Sequence, residues 1–403
     1  MKCRLCNKKL LPPLLDLGAM PIANNLSRPD DLSCPVYPLA LHVCDHCYLA
    51  QHATNIPNTQ IFHQNYPYFS SCSTTWLKHS QALAQKLVRT RSLNDLSQVV
   101  ELGSNDGCLL QYFKKESIPT LGIEPSASVA KKAQEKGIET IVEFFSLELA
   151  QKISDRHADV IVASNMLAHD PNIRSVVEGM KILLKPAGVI VVEVAYLPKL
   201  IEQVAYDTIY HEHYFYYSLY SIMRLFAAHD LSVYDAELLP THGGSLRIYA
   251  THLAKKPNDS PRLKKIQSHE ADIKINSTAY YQQFASRAIK NAQILKKLLT
   301  DLKSSGARVA GYGAPAKAIT LTNFAQIDAS LVSFTVDKNP TKQNHTLPIS
   351  NIPILNPTEI KKQKPTHILI FPWNIQKEIM KEHAYIKQWG GKWVIPIPDP
   401  HVV

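Results

Sequence analysis

The chain offers no long hydrophobic run. The apolar stretch near its start is interrupted by Pro12-Pro13 and falls far short of a bilayer's thickness, so it cannot serve as a membrane span. A signal-peptide pattern is also missing. Three of the seven cysteines, Cys34, Cys72 and Cys108, have no partner by spacing, which predicts a soluble protein of the reducing cytoplasm rather than a disulfide-built one. Internal repeats and low-complexity tracts are absent, which argues against a solenoid. Glycine is scarce, 14 in 403 residues, so a glycine pair directly after a strand carries weight. Acidic residues are outnumbered by basic ones, 34 to 44, for a net charge of +10. The lysines are scattered, with one cluster from Lys255 to Lys303 that reads as a solvated helix face, so the charge suits a small anionic substrate better than a polynucleotide. The length exceeds what one core supports and predicts two or three domains.

The most telling stretch is Glu101-Leu102-Gly103-Ser104-Asn105-Asp106-Gly107, where an apolar strand must turn sharply into a helix. Such a turn lets backbone approach a ligand and presents unpaired helix N–H groups to it. A second short strand, Leu121 to Ile123, ends in Glu124, about twenty positions on, where a carboxylate can take both hydroxyls of a ribose. A dinucleotide fold calls for G-x-G-x-x-G, and Asn105-Asp106 stand where its glycines would fall, so an adenosine ligand without phosphates fits better. These features resemble motif I and the acidic loop of S-adenosylmethionine-dependent methyltransferases. A strand over Ala158–Ala163, a helix from about Asn172 to Leu184, and a turn at Lys185-Pro186-Ala187-Gly188 into a strand at Val189–Val194 continue the resemblance. Any doubly wound α/β domain with a glycine turn is the plainer reading.

Cys3-x-x-Cys6 and Cys44-x-x-Cys47 form two knuckles whose four thiolates make the closed tetrahedral shell of a structural zinc site, with no position open for chemistry. A redox dithiol is the alternative. The long segment between them calls for extended pieces around Leu14–Leu17 and Tyr37–Val43.

The resulting organisation is α/β throughout: a zinc-binding module (1–60), a central Rossmann-like domain (61–254), a polar helical connector (255–303), and a smaller Rossmann-like α/β unit (304–403). In the last, the strand Arg308–Ala310 leads into Gly311-Tyr312-Gly313-Ala314-Pro315-Ala316-Lys317, followed by a helix and a strand at Val332–Val336. Chemistry is expected between the domains. Tyr206 to Tyr214 packs two histidines, an acid and several phenols directly after the last core strand. Methylation at carbon needs a base to remove an acidic C–H beside a carbonyl and a donor to stabilise the enolate, roles suited to His213 and Tyr210. Metal binding by His211-Glu212-His213, a structural aromatic cluster, and methylation at nitrogen or oxygen are the rival readings. A nucleic-acid-binding zinc ribbon and a nicotinamide dehydrogenase using the Gly311 loop are rivals from other classes.

Taken in order, the cysteine knuckles, E-L-G-S-N-D-G, S-N-M-L-A-H at Ser164–His169, Y-D-T-I-Y-H-E-H, H-G-G-S-L-R at His242–Arg247, G-Y-G-A-P-A-K and D-K-N-P-T-K-Q at Asp337–Gln343 resemble the nucleotide-sugar C-methyltransferases, which methylate a ring carbon of a dTDP-linked 4-keto-6-deoxy sugar. The resemblance implies zinc at Cys3, Cys6, Cys44 and Cys47. It places S-adenosylmethionine at Gly103, Asn105, Asp106, Gly107, Glu124 and Asn165. It implies active-site roles for His169, Tyr210, Glu212 and His213, with Tyr68, or else Tyr66, reaching in. Within that reading His213 takes the proton from carbon 3, Tyr210 and His169 hydrogen-bond the oxyanion, and Glu212 orients a histidine or a sugar hydroxyl. Arg247 and Lys317 are the candidates for pairing with a nucleotide diphosphate, ordinary surface cations being the alternative. Neither nucleic acid nor membrane is an expected partner. Ala187 and Ala318-Ile319 depart from the family pattern at positions that bear on substrate choice rather than fold.

Overall fold

A computed structural model describes residues 1–28, 34–54, 56–61 and 69–403, and its strands form three sheets. The first begins with β1 (Leu15–Pro21), β2 (Val36–Val43) and β3 (Ala50–His52), antiparallel throughout. The expected extended pieces are therefore present. Leu15, Leu17, Leu39 and Leu41 alternate inward from the first two strands. At Gly18, φ is +81°, and the register of β1 on β2 shifts between Asp16 and Ala19, which bends the strand.

The central sheet contains β4 (Val99–Leu102), β5 (Thr120–Ile123), β6 (Thr140–Ile141), β7 (Ala158–Ser164) and β8 (Leu184–Ala195). Strand β9 (Phe215–Tyr216) leaves this sheet and pairs with β3, Ala50 opposite Tyr216 and Gln51 opposite Phe215, completing the first sheet as β1-β2-β3-β9. The chain then returns as β10 (Leu231–Leu239) and β11 (Ser245–His252), giving the order β10-β11-β8-β7-β4-β5-β6 with only β11 and β10 antiparallel to their neighbours. All four residues of Val-Val-Glu-Leu in β4 are buried, as a central parallel strand requires. The order reverses at β4, so the loops after β4 and β7 part and leave a crevice.

The helix Ile173–Leu183 stands where expected, with Asn172 before it. The turn expected at Lys185–Gly188 is instead part of β8. Leu184 pairs with Ala158 and Val189 with Val160, so the four residues between them bulge outward, and Lys185 Nζ reaches Asp159 Oδ2 at 2.6 Å.

The third sheet runs β14-β15-β13-β12-β16-β17-β18. Its strands are β12 (Val309–Tyr312), β13 (Thr335–Val336), β14 (His345–Leu347), β15 (Ile352–Leu355), β16 (His367–Ile370), β17 (Lys392–Ile395) and β18 (His401–Val402). The outermost strands on each side are antiparallel and the five between them parallel. The strand expected from Val332 starts only at Thr335, because Leu331 and Val332 N–H groups bond back to the Asp328 carbonyl in a turn.

The segment read as a connector does more than connect. Its long helix, Thr278–Ser304, buries Tyr281, Phe284, Ala288, Leu295 and Leu299 in one apolar cluster with Leu15 and Leu41 of the first sheet and Leu369 of the third. Ser27 and Thr346 exchange backbone hydrogen bonds, N–H to carbonyl, at 3.2 and 2.9 Å, tying the N-terminal module to the third sheet as well. Among the described residues no helix is long and apolar enough to cross a membrane.

The preceding helix, Pro261–Asp272, supplies a buried carboxylate. Glu270 accepts from the Leu219 and Tyr220 N–H groups at 2.7 and 2.8 Å, at the first turn of the helix Leu219–Ala227, which Ser218 and Ser221 also cap reciprocally. Removing the acceptor leaves two buried donors unsatisfied. Glu270→Ala is expected to lower the unfolding free energy by about 1–3 kcal/mol, read by denaturant titration; an unchanged midpoint would show that the cap does not bear load.

Candidate functional site

A cavity of about 540 Å³ opens at the C-terminal ends of β4, β5, β7 and β8. Its floor comes from the loop after β4 (Gly103, Ser104, Asn105), from Glu124, and from the loop after β7 (Asn165, Met166, His169). One wall is the segment holding Tyr210, Glu212 and His213; the opposite end is closed by Lys317, Lys342, Trp373 and Asn374 of the C-terminal unit, while Asn24 intrudes from the N-terminal module.

At the glycine turn, φ is +67° at Gly103 and +50° at Asn105. A Cβ at Gly103 would meet Met166 at 3.0 Å, so glycine keeps the two loops apart without filling the crevice. Glu124 accepts from the N–H groups of Asn105 (3.0 Å) and Ser126 (2.9 Å), which orients its carboxylate; burial raises its pKa and these bonds oppose the rise. Asn105 in turn accepts from the Ser70 N–H at 2.8 Å. Glu101, a residue of the motif to which the sequence assigned no role, lies on the wall with its carboxyl pushed well up by burial and by Asp106 and Glu124. Glu101 Oε2 and Ser104 Oγ are buried without a hydrogen-bond partner. Unsatisfied acceptors beside a ribose-type carboxylate fit a ligand that brings hydroxyls and a cationic amine, as S-adenosylmethionine does. Two of the expected cofactor residues are placed otherwise. Asp106 is ion-paired with Lys136 at 3.3 Å, and Gly107, at φ +74°, backs onto the core, where a Cβ would lie 2.3 Å from Ile138 Cδ1. Neither is among the cavity-lining residues.

On the facing wall, His213 Nδ1 lies 3.3 Å from the Thr208 carbonyl. A carbonyl only accepts, so this contact places a hydrogen on Nδ1. Tyr210 lies against it, ring centroids 4.2 Å apart, and His169 follows at 5.0 Å. His169 Nδ1 donates to the Glu212 carbonyl at 2.7 Å, and burial lowers its pKa to about 4. The Asn165 backbone is a second hydrogen-bond partner of the ring, so His169 ties the loop after β7 to the segment that carries Glu212. Glu212 is buried and accepts from Asn24 Nδ2 at 2.6 Å. His211 turns away from the cavity toward the Tyr37 and Pro38 carbonyls, so the triplet does not converge. Among the described residues the one metal-type cluster is that of the cysteines. Tyr66 and Tyr68 lie outside the described residues.

Arg247, expected to bind diphosphate, is not on the cavity wall. Its guanidinium is buried between Glu193 (2.8 Å) and Glu237 (3.3 Å) and contacts His79 Nε2 at 2.8 Å, so its charge is neutralised within the protein. His79 stacks on Trp76, a cavity residue, at 4.8 Å. Lys317 does reach the cavity: its Nζ is 4.6 Å from the Trp373 ring centre and 3.0 Å from Asn374 Oδ1. Burial lowers its pKa and nearby Asp207 opposes this. Lys342 joins it there, donating to the Ala314 carbonyl at 2.8 Å. Sequence reasoning missed Asn24 and Trp76, for which no local signal exists, and Lys342, which sits inside the quoted D-K-N-P-T-K-Q.

The four cysteine sulfurs lie within 4.8 Å of one another, with Cys3–Cys47 and Cys6–Cys44 each at 3.5 Å. A tetrahedral Zn–S₄ shell spaces sulfurs by about 3.8 Å, so the donor set fits zinc. The hydrogen bond with Cys47 draws the Cys3 thiol down against its burial, and the Gln51 side chain lowers it further.

Two expectations follow. Glu124→Ala removes a carboxylate from the ribose position, and affinity for S-adenosylhomocysteine should fall about tenfold to a hundredfold by calorimetry; unchanged affinity would move the ribose elsewhere. His169 (about 4) and His52 (about 3, depressed by burial) stay neutral in the folded state. The unfolded chain protonates both below about pH 6.5, so it binds more protons and stability falls as pH drops from there toward 4. His169→Gln should make that fall shallower by about 1.4 kcal/mol per pH unit in acid titrations of unfolding; an unaltered slope would mean His169 is not held neutral.

Three family models match the chain in succession: "Putative zinc binding domain" over residues 3–62, "Methyltransferase domain" over 76–236 and "C-methyltransferase C-terminal domain" over 240–398. The last begins within the turn between β10 and β11, so it takes in one strand of the central sheet. Among solved structures, the magnesium protoporphyrin IX methyltransferase of Synechocystis PCC 6803 with bound SAM is 15% identical, covering 44% of this chain and 79% of that one at a TM-score of 0.34. The PH0226 protein of Pyrococcus horikoshii OT3 is 14% identical, covering 49% and 100% at 0.39. C-methyltransferase NovU of Streptomyces niveus is 31% identical over 406 residues, covering 100% of this chain and 96% of that protein. Similarity that runs the length of both proteins, together with three matched regions in that order, makes the chain a member of the C-methyltransferase family and an enzyme.

Proposed function

We propose that the enzyme transfers a methyl group to carbon 3 of a dTDP-linked 4-keto-6-deoxy sugar through a base-generated enolate, a step of deoxysugar biosynthesis. The observation that carries the reading is His213: a carbonyl holds its Nδ1–H, its ring lies against Tyr210, and both line the cavity whose floor is the glycine turn and Glu124. That is the equipment of proton abstraction beside a ketone, and methylation at nitrogen or oxygen needs less of it.

Bound at Gly103, Ser104, Asn105, Glu124 and Asn165, S-adenosylmethionine supplies a methyl group already activated on a sulfonium. The chain's own residues prepare the nucleophile. Nε2 of His213 takes the carbon-3 proton; the C–H electrons form the C3–C4 double bond and the ketone electrons move to oxygen, where the Tyr210 hydroxyl donates. As the new carbon–carbon bond forms at C3 the ketone is restored, and the electron pair of the broken sulfur–methyl bond would stay on sulfur, leaving the thioether S-adenosylhomocysteine. Glu212, held by Asn24, is placed to accept from a sugar hydroxyl. Lys317 and Lys342 face the end of the cavity where a diphosphate fits, and the net charge of +10 favours an anionic substrate.

Substrate incubated in heavy water with S-adenosylhomocysteine should exchange deuterium at carbon 3, and with methyl-labelled S-adenosylmethionine NMR should place the methyl on that carbon. His213→Gln should abolish exchange and reduce methylation by about 10² to 10⁴ while leaving cofactor affinity near native; Tyr210→Phe keeps the base and should retain measurable exchange. Near-native turnover of His213→Gln, or a methyl group on nitrogen or oxygen, would overturn the mechanism.

A further inference from the structure

We propose that Arg4, a non-ligand residue inside the first cysteine knuckle, is a positioning residue for the methyl transfer, carrying the geometry of the metal site to the two loops that hold His169 and His213. Arg4 reaches across to the central domain: its Nη1 donates to the Pro171 carbonyl at 3.3 Å and its guanidinium lies 5.3 Å from the centre of the Tyr214 ring. Pro171 ends the loop after β7 on which His169 sits, and Tyr214 directly follows His213. The backbones of these loops are joined at the same place, since the Tyr214 N–H donates to the Ala168 carbonyl at 2.8 Å and His169 donates to Glu212.

The other end of the link is the thiolate cluster. The Arg4 N–H donates to Gln51 Oε1 at 3.0 Å, and Gln51 Nε2 donates to Cys3 Sγ at 3.2 Å, so one amide clamps the knuckle backbone and a metal-binding sulfur together. Next to Gln51, His52 donates from Nε2 to the His211 carbonyl at 3.0 Å and from its N–H to the Tyr214 carbonyl at 3.1 Å, while its ring stacks on Tyr214 at 4.6 Å. Burial lowers the Arg4 pKa, and Tyr214 and Asp170 oppose that loss. A guanidinium that meets a carbonyl and an aromatic face at once uses its planarity, which a lysine lacks. Near-attack geometry is steep: a misplacement of about 1 Å can cost about a hundredfold in rate. This role rests on the proposed place of His213 as the base.

The test uses the full-length, zinc-loaded enzyme carrying Arg4→Gln or Arg4→Lys. Zinc per chain by metal analysis and S-adenosylhomocysteine affinity by calorimetry should stay native, the latter within about twofold, while kcat falls on the order of tenfold to a hundredfold and KM changes less. Arg4→Lys should not restore kcat. In substrate-free protein labelled at histidine, the ring resonances of His169 and His213 should move in Arg4→Gln. Gln51→Met, which keeps all four thiolates and Arg4, should shift the same resonances in the same direction and guards against failure of the first variant to fold. Native kcat in zinc-loaded Arg4→Gln would overturn the proposal, as would loss of zinc and cofactor affinity in proportion to activity, the mark of a merely structural residue. Failure of the carbon-methylation reading would show separately, as a methyl group on a heteroatom made by the native enzyme.

Discussion

The pairing of β3 with β9 is the constraint on which the candidate active site depends. It is only two residues long, Ala50 opposite Tyr216 and Gln51 opposite Phe215, yet it joins a strand that begins three residues after Cys47 to one that begins two residues after His213. A two-stranded contact so short would not hold alone in water. It holds because the cysteine cluster fixes one side, because His52 and Tyr214 stack across it, and because all of Phe215, Tyr216 and Tyr217 are buried. The N-terminal module is thus the seat of the proposed catalytic segment rather than an appendage, and Asn24, which meets Glu212, belongs to it.

The same segment is gripped from the C-terminal side. Trp373 Nε1 donates to Asp207 Oδ2 at 2.7 Å, and Thr320 Oγ1 donates to the Ile209 carbonyl at 2.8 Å. Lys317 and Asp207 lie close enough to perturb one another, which links the proposed diphosphate end to the stretch that leads into Tyr210. Beside the cavity, buried Arg247 and Glu193 and the half-buried Glu237, Lys86 and His79 satisfy one another's charges. Such a network fixes orientation more than it stabilises, and here it holds the ring on which Trp76 stacks.

How much was legible in the sequence follows the range of the interactions. Val99 to Gly107 declared a buried strand and its turn because both are local, and the cysteine knuckles declared their cluster because four sulfurs in two turns have one common use. The helix Ile173–Leu183 was legible for the same reason. Arg247 was misassigned because sequence shows a charge and not its partner; Glu193 and Glu237 arrive beside it only through the pairing of β11 with β8 and β10. Asp106 and Gly107 share a motif with Gly103 and Asn105 but face Lys136 and Ile138, a distinction made by backbone direction. The partner of His169 Nδ1, a carbonyl 43 residues away, has no local sign. Asn24 and Trp76 reach the site across still longer separations.

Hydrogen exchange with and without chelation of zinc tests the seating of the catalytic segment most directly. Removal of the metal from otherwise folded enzyme should deprotect Ala50–His52 and His211–Tyr217 together, while Val99–Leu102 and Ala158–Ser164 of the central sheet keep their protection. Native protection of His211–Tyr217 in the chelated protein would contradict the account.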